Sequence, residues 1–265
     1  ALNGLPKMGI GNKPIDDGNY LFSEEEMIAF IEKEPNAEKY FYRWYGSDEF
    51  LNGLKRYCLL AQKIPKAELE TMPKTRELIE AVRLFRLKSK SKPTLQLADS
   101  PTKFHVECFP QSNYMVIPEV SSERREYIPV GYLNNEILAS SLLRVIHSSD
   151  PYIFGLVSSK MHMTWVKAVA GRLESRFRYS NELCYNTFPI PDLNQKQRDN
   201  ISTHALNVIQ EREKYIEVPI GDLYGPSKMP KDLKSAHEQL DQIVESCYRS
   251  KPFVSDEQRL EHLFK

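Results

Sequence analysis

A chain of 265 residues with 41% apolar and 27% charged side chains is long enough to bury one large core or two smaller ones. No apolar run approaches the length of a membrane span and no signal peptide opens the chain, which excludes a helical membrane protein and favours a cytoplasmic one. Cys58, Cys108, Cys184 and Cys247 stand far apart, without a CxxC or a Cys/His ligand spacing, so free thiols are expected and not a zinc module or disulfide scaffold.

A net charge of zero hides an uneven distribution. Residues 1–50 hold 5 Lys and Arg against 10 Asp and Glu, residues 51–190 hold 20 against 13, and residues 191–265 hold 11 against 13. A basic middle between acidic ends allows a polyanion site at the centre without requiring one. The chain opens on alanine in an irregular stretch rich in Gly, Pro and Asn, as expected of a piece of a longer protein. The run Gly9–Asn12 has neither an apolar strand before it nor a helix after it, so a turn is expected there and not a phosphate loop.

Ser23 with Glu26 three residues on matches a capping box, and Met27, Ile28 and Ile31 follow at helical spacing until Pro35. A second helix is predicted over Ala37–Tyr45, whose aromatic side chains suit helix packing better than base stacking. Arg56–Ala61 has the composition of a short buried strand. Pro65 and Pro73 bracket a short helix over Lys66–Thr71, and a longer helix runs from Lys74 to Leu87 with Leu78, Ile79, Val82 and Phe85 inward. Around its end stand Arg83, Arg86, Lys88, Lys90 and Lys92 without one acid. Cations complement a helix C-terminus and equally suit a ridge of phosphate contacts, and both explanations stay open.

Beyond Phe104 the texture changes to short β-like runs at Tyr114–Ile117, Tyr127–Val130, Leu143–Ile146 and Ile153–Val157. Between two of them, Pro118–Pro129 crowds Arg124 and Arg125 beside Ser121 and Ser122, a mixture that fits phosphate oxygens or a solvated turn. A helix over Ser158–Ala170 carries Met161, Trp165, Val166 and Val169 on one stripe, as a core helix does. Gly171 stops it. On the strand predicted next, Glu174, Arg176 and Arg178 share one face while Ser175, Phe177 and Tyr179 take the other. Arg fits guanine O6 and N7 bidentately and Glu accepts from cytosine N4, so this face has the chemistry to read base edges. An exposed Glu–Arg ladder with no ligand uses the same residues.

Leu183–Pro191 is predicted extended. Amphipathic helices follow over Asn194–Tyr215 and Lys231–Tyr248, with a linker at Pro226–Pro230. A third begins near Ser255, whose spacing to Gln258 again fits a capping box. Helices, a β-rich middle and helices again argue for an α+β fold. No GxSxG, HExxH, P-loop or EF-hand loop occurs, and the six histidines show no ligand pairing. Binding is therefore a better expectation than autonomous catalysis.

Gly11-Asn12-Lys13-Pro14 with Asp17-Gly18-Asn19, then Pro118–Pro129, Lys160–Pro191, Asp222-Leu223-Tyr224, and Cys247-Tyr248-Arg249 with Pro252-Phe253 occur in one order along the chain. With these runs the chain resembles the MmeI-like family over essentially its whole length. Members of that family are bacterial restriction-modification enzymes that fuse a nuclease, an adenine-N6 DNA methyltransferase and a target recognition domain. The resemblance implies a target recognition domain at residues 23–192, a linker from the methyltransferase at residues 1–22 and a C-terminal helical region or spacer at residues 193–265.

The same resemblance implies no cofactor in this segment, with S-adenosylmethionine and Mg2+ used by the parent enzyme. The family's adenine-holding Asn/Asp-Pro-Pro-Tyr/Phe motif is absent here. The implied partners are double-stranded DNA and the methyltransferase and nuclease domains of the same parent chain, with no membrane. By resemblance, Glu174 and Arg176 match two base-reading positions that vary as a pair, and Arg178 matches a further one. Glu119 matches another, partnered near Ser141 and Leu142. Arg124 and Arg125 match DNA-backbone or structural positions, and Lys88, Lys90 and Lys92 join them as phosphate contacts on charge grounds. The competing expectation is a helical docking or specificity scaffold with an incidental basic surface.

Overall fold

The computed structural model describes residues 3–265. Met8–Ile10 forms β1, and the Gly9–Asn12 run expected to turn is this strand followed by a bridge from Asn12 to Ser140. Gly11 is required there by close approach, since a Cβ would lie 2.3 Å from the Ser140 carbonyl oxygen. Asn12 is fully buried, donating to the Cys108 and Ala139 carbonyls at 2.8 and 3.1 Å and accepting from the Cys108 N–H at 2.7 Å. Residues 3–22 thus contribute β1 and a buried polar anchor to the fold.

Leu21–Ser23 (β2) leads into Glu24–Lys33 (α1) through the expected capping box. The Ser23 hydroxyl accepts from the Glu26 N–H at 3.2 Å and the Glu26 carboxylate from the Ser23 N–H at 2.8 Å. The helix predicted over Ala37–Tyr45 is instead a 3-10 turn, Pro35–Tyr40, and a strand, Phe41–Tyr45 (β3). Aromatic side chains fit a pleated, half-buried surface. Here Trp44 enters the core while Arg43 lies between the Tyr45 and Tyr57 rings on the other face.

Ser47–Asn52 (α2), Arg56–Leu59 (β4), Lys66–Leu69 (α3), Pro73–Leu87 (α4) and Lys92–Leu97 (α5) complete the first part of the chain. Then come Tyr114–Pro118 (β5), Val120–Ser121 (β6), Gly131–Leu133 (β7), Ile137–Ala139 (β8) and Leu143–Ile146 (β9). Tyr127–Val130, expected as a strand, is buried but unpaired, because Pro129 has no N–H for a ladder, and pairing begins at Gly131.

Ile153–Val157, also expected as a strand, belongs to a helix, Pro151–Val157 (α6). Asp150 caps it by accepting from the Tyr152 N–H at 3.2 Å, and Pro151 takes the first helical position. This helix is buried on every side, so no periodicity marks it in the sequence.

Lys160–Val169 (α7) precedes a hairpin made of Gly171–Leu173 (β10) and Arg176–Arg178 (β11). Asn181–Tyr185, which overlaps the first three residues of the stretch expected to be extended, forms one π-helical turn whose N-terminal N–H groups are capped by the Ser180 hydroxyl. Gln195–Glu213 (α8), Ile220–Leu223 (α9), Lys231–Tyr248 (α10) and Asp256–Leu263 (α11) follow, the last capped by Ser255 as its spacing to Gln258 predicts.

The strands make three sheets, β1-β9-β5-β7, β2-β4-β3-β8 and β10-β11-β6, antiparallel except for the β3/β8 pair. The fold is α+β, as expected. In the first sheet Met115, Ile117 and Ile146 face α6, α8 and α10, while Val116, Leu143 and Val145 face the α2 side, so both faces are covered. Gly155 of α6 lies so close to α8 that an added Cβ would meet Ile201 at 2.6 Å. One apolar core therefore joins the β-rich middle to the C-terminal helices.

Two buried polar groups hold this arrangement. Arg86 of α4 is fully buried, and its five N–H groups donate to the carbonyls of Pro14, Ile15, Leu97, Ser100 and Lys103 at 2.8–3.2 Å. It ties the entry segment to the turn after α5, so it is removed from the cationic ridge read in the sequence. Arg86→Met leaves five buried acceptors without a donor, and urea unfolding should show a loss of at least about 3 kcal/mol. A loss below about 1 kcal/mol would contradict this structural role.

Asp241 of α10 accepts from the Tyr127 hydroxyl and from the Lys160 N–H, both at 2.7 Å, and the Tyr127 ring stacks on His237 with centroids 4.2 Å apart. Burial raises the Asp241 carboxyl from 3.8 to about 7, with the nearby Glu245 charge adding to the effect. Burial lowers His162 and His237 from 6.5 to about 3. Between about pH 4 and 7 folded Asp241 keeps a proton that the unfolded chain releases, so its contribution falls as pH rises. The histidines oppose this, because below 6.5 the unfolded chain takes up protons that the folded chain refuses. Among these three groups the two histidines outweigh Asp241, so together they cost stability on acidification below 6.5. Asp241→Asn should leave thermal stability at pH 4 nearly unchanged and raise it at pH 8. An equal change at both pH values would contradict the assigned titration.

Candidate nucleic-acid interface

The β10–β11 hairpin begins one residue after α7, with Gly171 opposite Arg178, Arg172 opposite Phe177 and Leu173 opposite Arg176. Two residues, Glu174 and Ser175, close it, and Glu174 adopts φ +57°. The sequence expectation of one continuous strand is corrected here, because the chain reverses at Glu174. The acid and the first arginine still meet, with Glu174 Oε2 accepting from Arg176 Nη2 at 2.9 Å. Their side chains are 79% and 46% exposed, so this pair holds less than about 1 kcal/mol and can exchange for other partners.

Alternation holds along β11. Arg176 and Arg178 point to solvent, while Phe177 and, just beyond the strand, Tyr179 are buried. Arg172 lies over the Phe177 ring at 4.0 Å and donates to the Lys167 carbonyl, which clamps the hairpin to the end of α7. Beneath it, the Tyr179 hydroxyl and His162 Nε2 are 2.8 Å apart, and burial keeps that imidazole uncharged at neutral pH.

Glu119 stands beside β6, the strand that pairs with β11. Its N–H donates to the Leu142 carbonyl at 2.8 Å and its carbonyl accepts from the Tyr179 N–H at 2.7 Å. The side chain, 12% exposed, accepts Arg178 Nε on Oε1 at 3.0 Å, and the same oxygen lies 2.8 Å from Arg144 Nη2. Arg144 also donates through Nε to the Tyr179 carbonyl at 3.2 Å. Arg144, Arg178, Tyr179, Ser180, Asn181 and Glu182 line a polar pocket of about 370 Å³ alongside.

The structure therefore brings together Glu119, Arg178 and the Glu174–Arg176 pair, and it joins Glu119 to Leu142 through a backbone hydrogen bond. It separates the cationic run after α4. Arg83 pairs with Glu80 at 2.8 Å and Arg86 is buried, which leaves Lys88, Lys90 and Lys92 exposed around the junction of α4 and α5. The two neighbouring arginines also divide. Arg124 is exposed, whereas half-buried Arg125 donates to Ser121 Oγ and to the Gly221 carbonyl at 3.1 and 3.2 Å, tying the β6 loop to α9. Arg144 escaped the sequence reading. Its one signal is a lone arginine inside the otherwise apolar run LRVI.

Among the described residues no group of three His, Cys, Asp or Glu could hold a metal ion, and no helix is long and apolar enough to cross a membrane. The four cysteines are free, three of them buried.

Residues 1–192 match the family described as the MmeI target recognition domain, and residues 193–265 match the MmeI C-terminal domain. The chain is 44% identical over all its 265 residues to DNA methyltransferase A of Bacillus subtilis (strain 168), covering 30% of that protein. A solved structure of the Type IIL restriction-modification enzyme MmeI in complex with DNA superposes on 99% of the chain with a TM-score of 0.97 and 44% identity. The chain spans 35% of that MmeI chain. With both family domains matched in order across its length, the chain belongs to the MmeI family, as its target recognition domain and C-terminal domain.

Proposed function

We propose that this chain is the sequence-specific double-stranded DNA recognition module of a restriction-modification enzyme and reads base edges with the β10–β11 hairpin. The observation that carries the reading is geometric. Arg176 and Arg178 project from the exposed face of β11, whose other face buries Phe177 in the core. Beyond its pairing with β6 at Phe177 and Arg178 the hairpin tip is two-stranded, and such a ribbon fits the major groove, where an arginine fork matches guanine O6 and N7 and a glutamate accepts from cytosine N4. Glu174 and Arg176 together read one C·G pair, and Arg178 with Glu119 reads beside them. The likeness of the chain to MmeI, solved in complex with DNA, supports the DNA-recognition role of the module.

Lys88, Lys90, Lys92 and Arg124, all exposed, supply phosphate contacts, while Arg125 braces the loop that carries Arg124. In the parent enzyme this module serves an S-adenosylmethionine-dependent adenine-N6 methyltransferase and a Mg2+-dependent nuclease on the same chain, in the bacterial cytoplasm. S-adenosylmethionine and Mg2+ act in those domains, and the module's own part is to place the target sequence.

Exchanging the charges with Glu174→Lys and Arg176→Asp in the parent enzyme should change the preferred base pair at one target position, read by sequencing the methylated sites. The melting temperature should stay close to the parent's. An unchanged target in a folded, active enzyme would sink the base-reading role. Replacing Lys88, Lys90 and Lys92 by Gln should weaken duplex binding about equally for all sequences and make the slope of log K against log salt shallower by about 2 to 3. An unchanged slope would remove these lysines from the interface.

A further inference from the structure

We infer that Arg144 is the positioning residue of the recognition edge, fixing the Glu119 carboxylate and, through it, the guanidinium of Arg178. The inference rests on the base-reading role proposed for Arg178 and Glu119. Arg144 lies on β9, the strand held between β1 and β5, and its side chain is 12% exposed. It is bound at two points, to Glu119 Oε1 and to the Tyr179 carbonyl, and Tyr179 directly follows the Arg178 backbone. One rigid guanidinium therefore anchors both an acid of the edge and the main chain beneath its arginine.

Two consequences follow for what the edge can present. Oε1 of Glu119 is taken by both guanidinia, so Oε2 is its acceptor without a protein partner among the described residues. Arg178 is held through Nε, which leaves its Nη1 and Nη2 pair as the fork that can reach O6 and N7 of a guanine. Charge matters as much as shape. Without Arg144, the Glu119 carboxylate would neutralise Arg178 alone, whereas two arginines around one glutamate leave a net positive charge at the edge. Arg144 thereby lets Arg178 be oriented by an acid and still attract an electronegative base edge.

The test uses the full parent enzyme and a set of duplexes that differ from its target by one base pair at a time, scored by methylation rate. Arg178→Ala and Glu119→Ala identify the base pairs that these two side chains read. Arg144→Gln should lose about tenfold in discrimination at those same base pairs. Discrimination at the base pair altered by the Glu174 and Arg176 exchange should stay within about twofold. Arg144→Lys, which restores the charge without the planar fork, should recover part of the loss.

A merely structural Arg144 would slow methylation of every duplex by one common factor, and that result overturns the inference, as does unchanged discrimination in Arg144→Gln. Should Arg144→Gln fail to fold, Arg144→Lys carries the same comparison, and uniform loss in it overturns the inference. If Arg178→Ala and Glu119→Ala relax no base pair, the base-reading proposal itself has failed and the positioning role falls with it. That failure is recognised by the null result in those two variants, independently of Arg144.

Discussion

One carboxylate oxygen connects three segments of the chain that are distant in sequence. Glu119 Oε1 lies 2.8 Å from Arg144 on the first sheet and 3.0 Å from Arg178 on the hairpin, while the Glu119 main chain is bonded to Leu142 and Tyr179. Base recognition tolerates about 0.5 Å of misplacement, and an anchor outside the hairpin holds Arg178 to such a tolerance. The triad supplies it. The more exposed Glu174–Arg176 pair at the tip has no such anchor and is free to trade its internal contact for one with a ligand.

The rest of the fold keeps that edge in place. The hairpin is fastened by Phe177 and Tyr179 below and by Arg172 stacked against Phe177, and the core beneath continues through α6 into α8 and α10. The C-terminal helices bury Asp241 and His237 against Tyr127, so the segment between β6 and β7 is bound to α10 by polar as well as apolar contacts. Arg125 adds a second tie, from the β6 loop to α9. Recognition edge and helical region are thus parts of one packed unit, and a change at their junction is expected to disturb the edge.

Much of this was legible wherever local chemistry decides. The Ser23 and Ser255 caps, α4, α7, α8 and α10, the strands at Tyr114 and Leu143, and the alternation of Arg176, Phe177 and Arg178 all follow from spacing. Most of the failures trace to tertiary context. Phe41–Tyr45 has a composition that only a sheet neighbour resolves, and α6 is apolar on every side, so it shows no period. The turn at Glu174 lacks the usual glycine or asparagine. Arg86 and Arg144 look like surface cations in the sequence, and only the carbonyls and the carboxylate brought to them by distant segments reveal buried anchors. Glu119 and its place beside Leu142 came from family resemblance, since nothing local marks an acid after Pro118.

The most direct measurement is a structure of the parent enzyme bound to its DNA target. The β10–β11 hairpin should lie in the major groove, with guanidinium nitrogens of Arg176 and Arg178 within about 3.2 Å of base-edge acceptors and Arg144 still bound to Glu119. A complex in which the hairpin faces only phosphates, or lies away from the duplex, would contradict it.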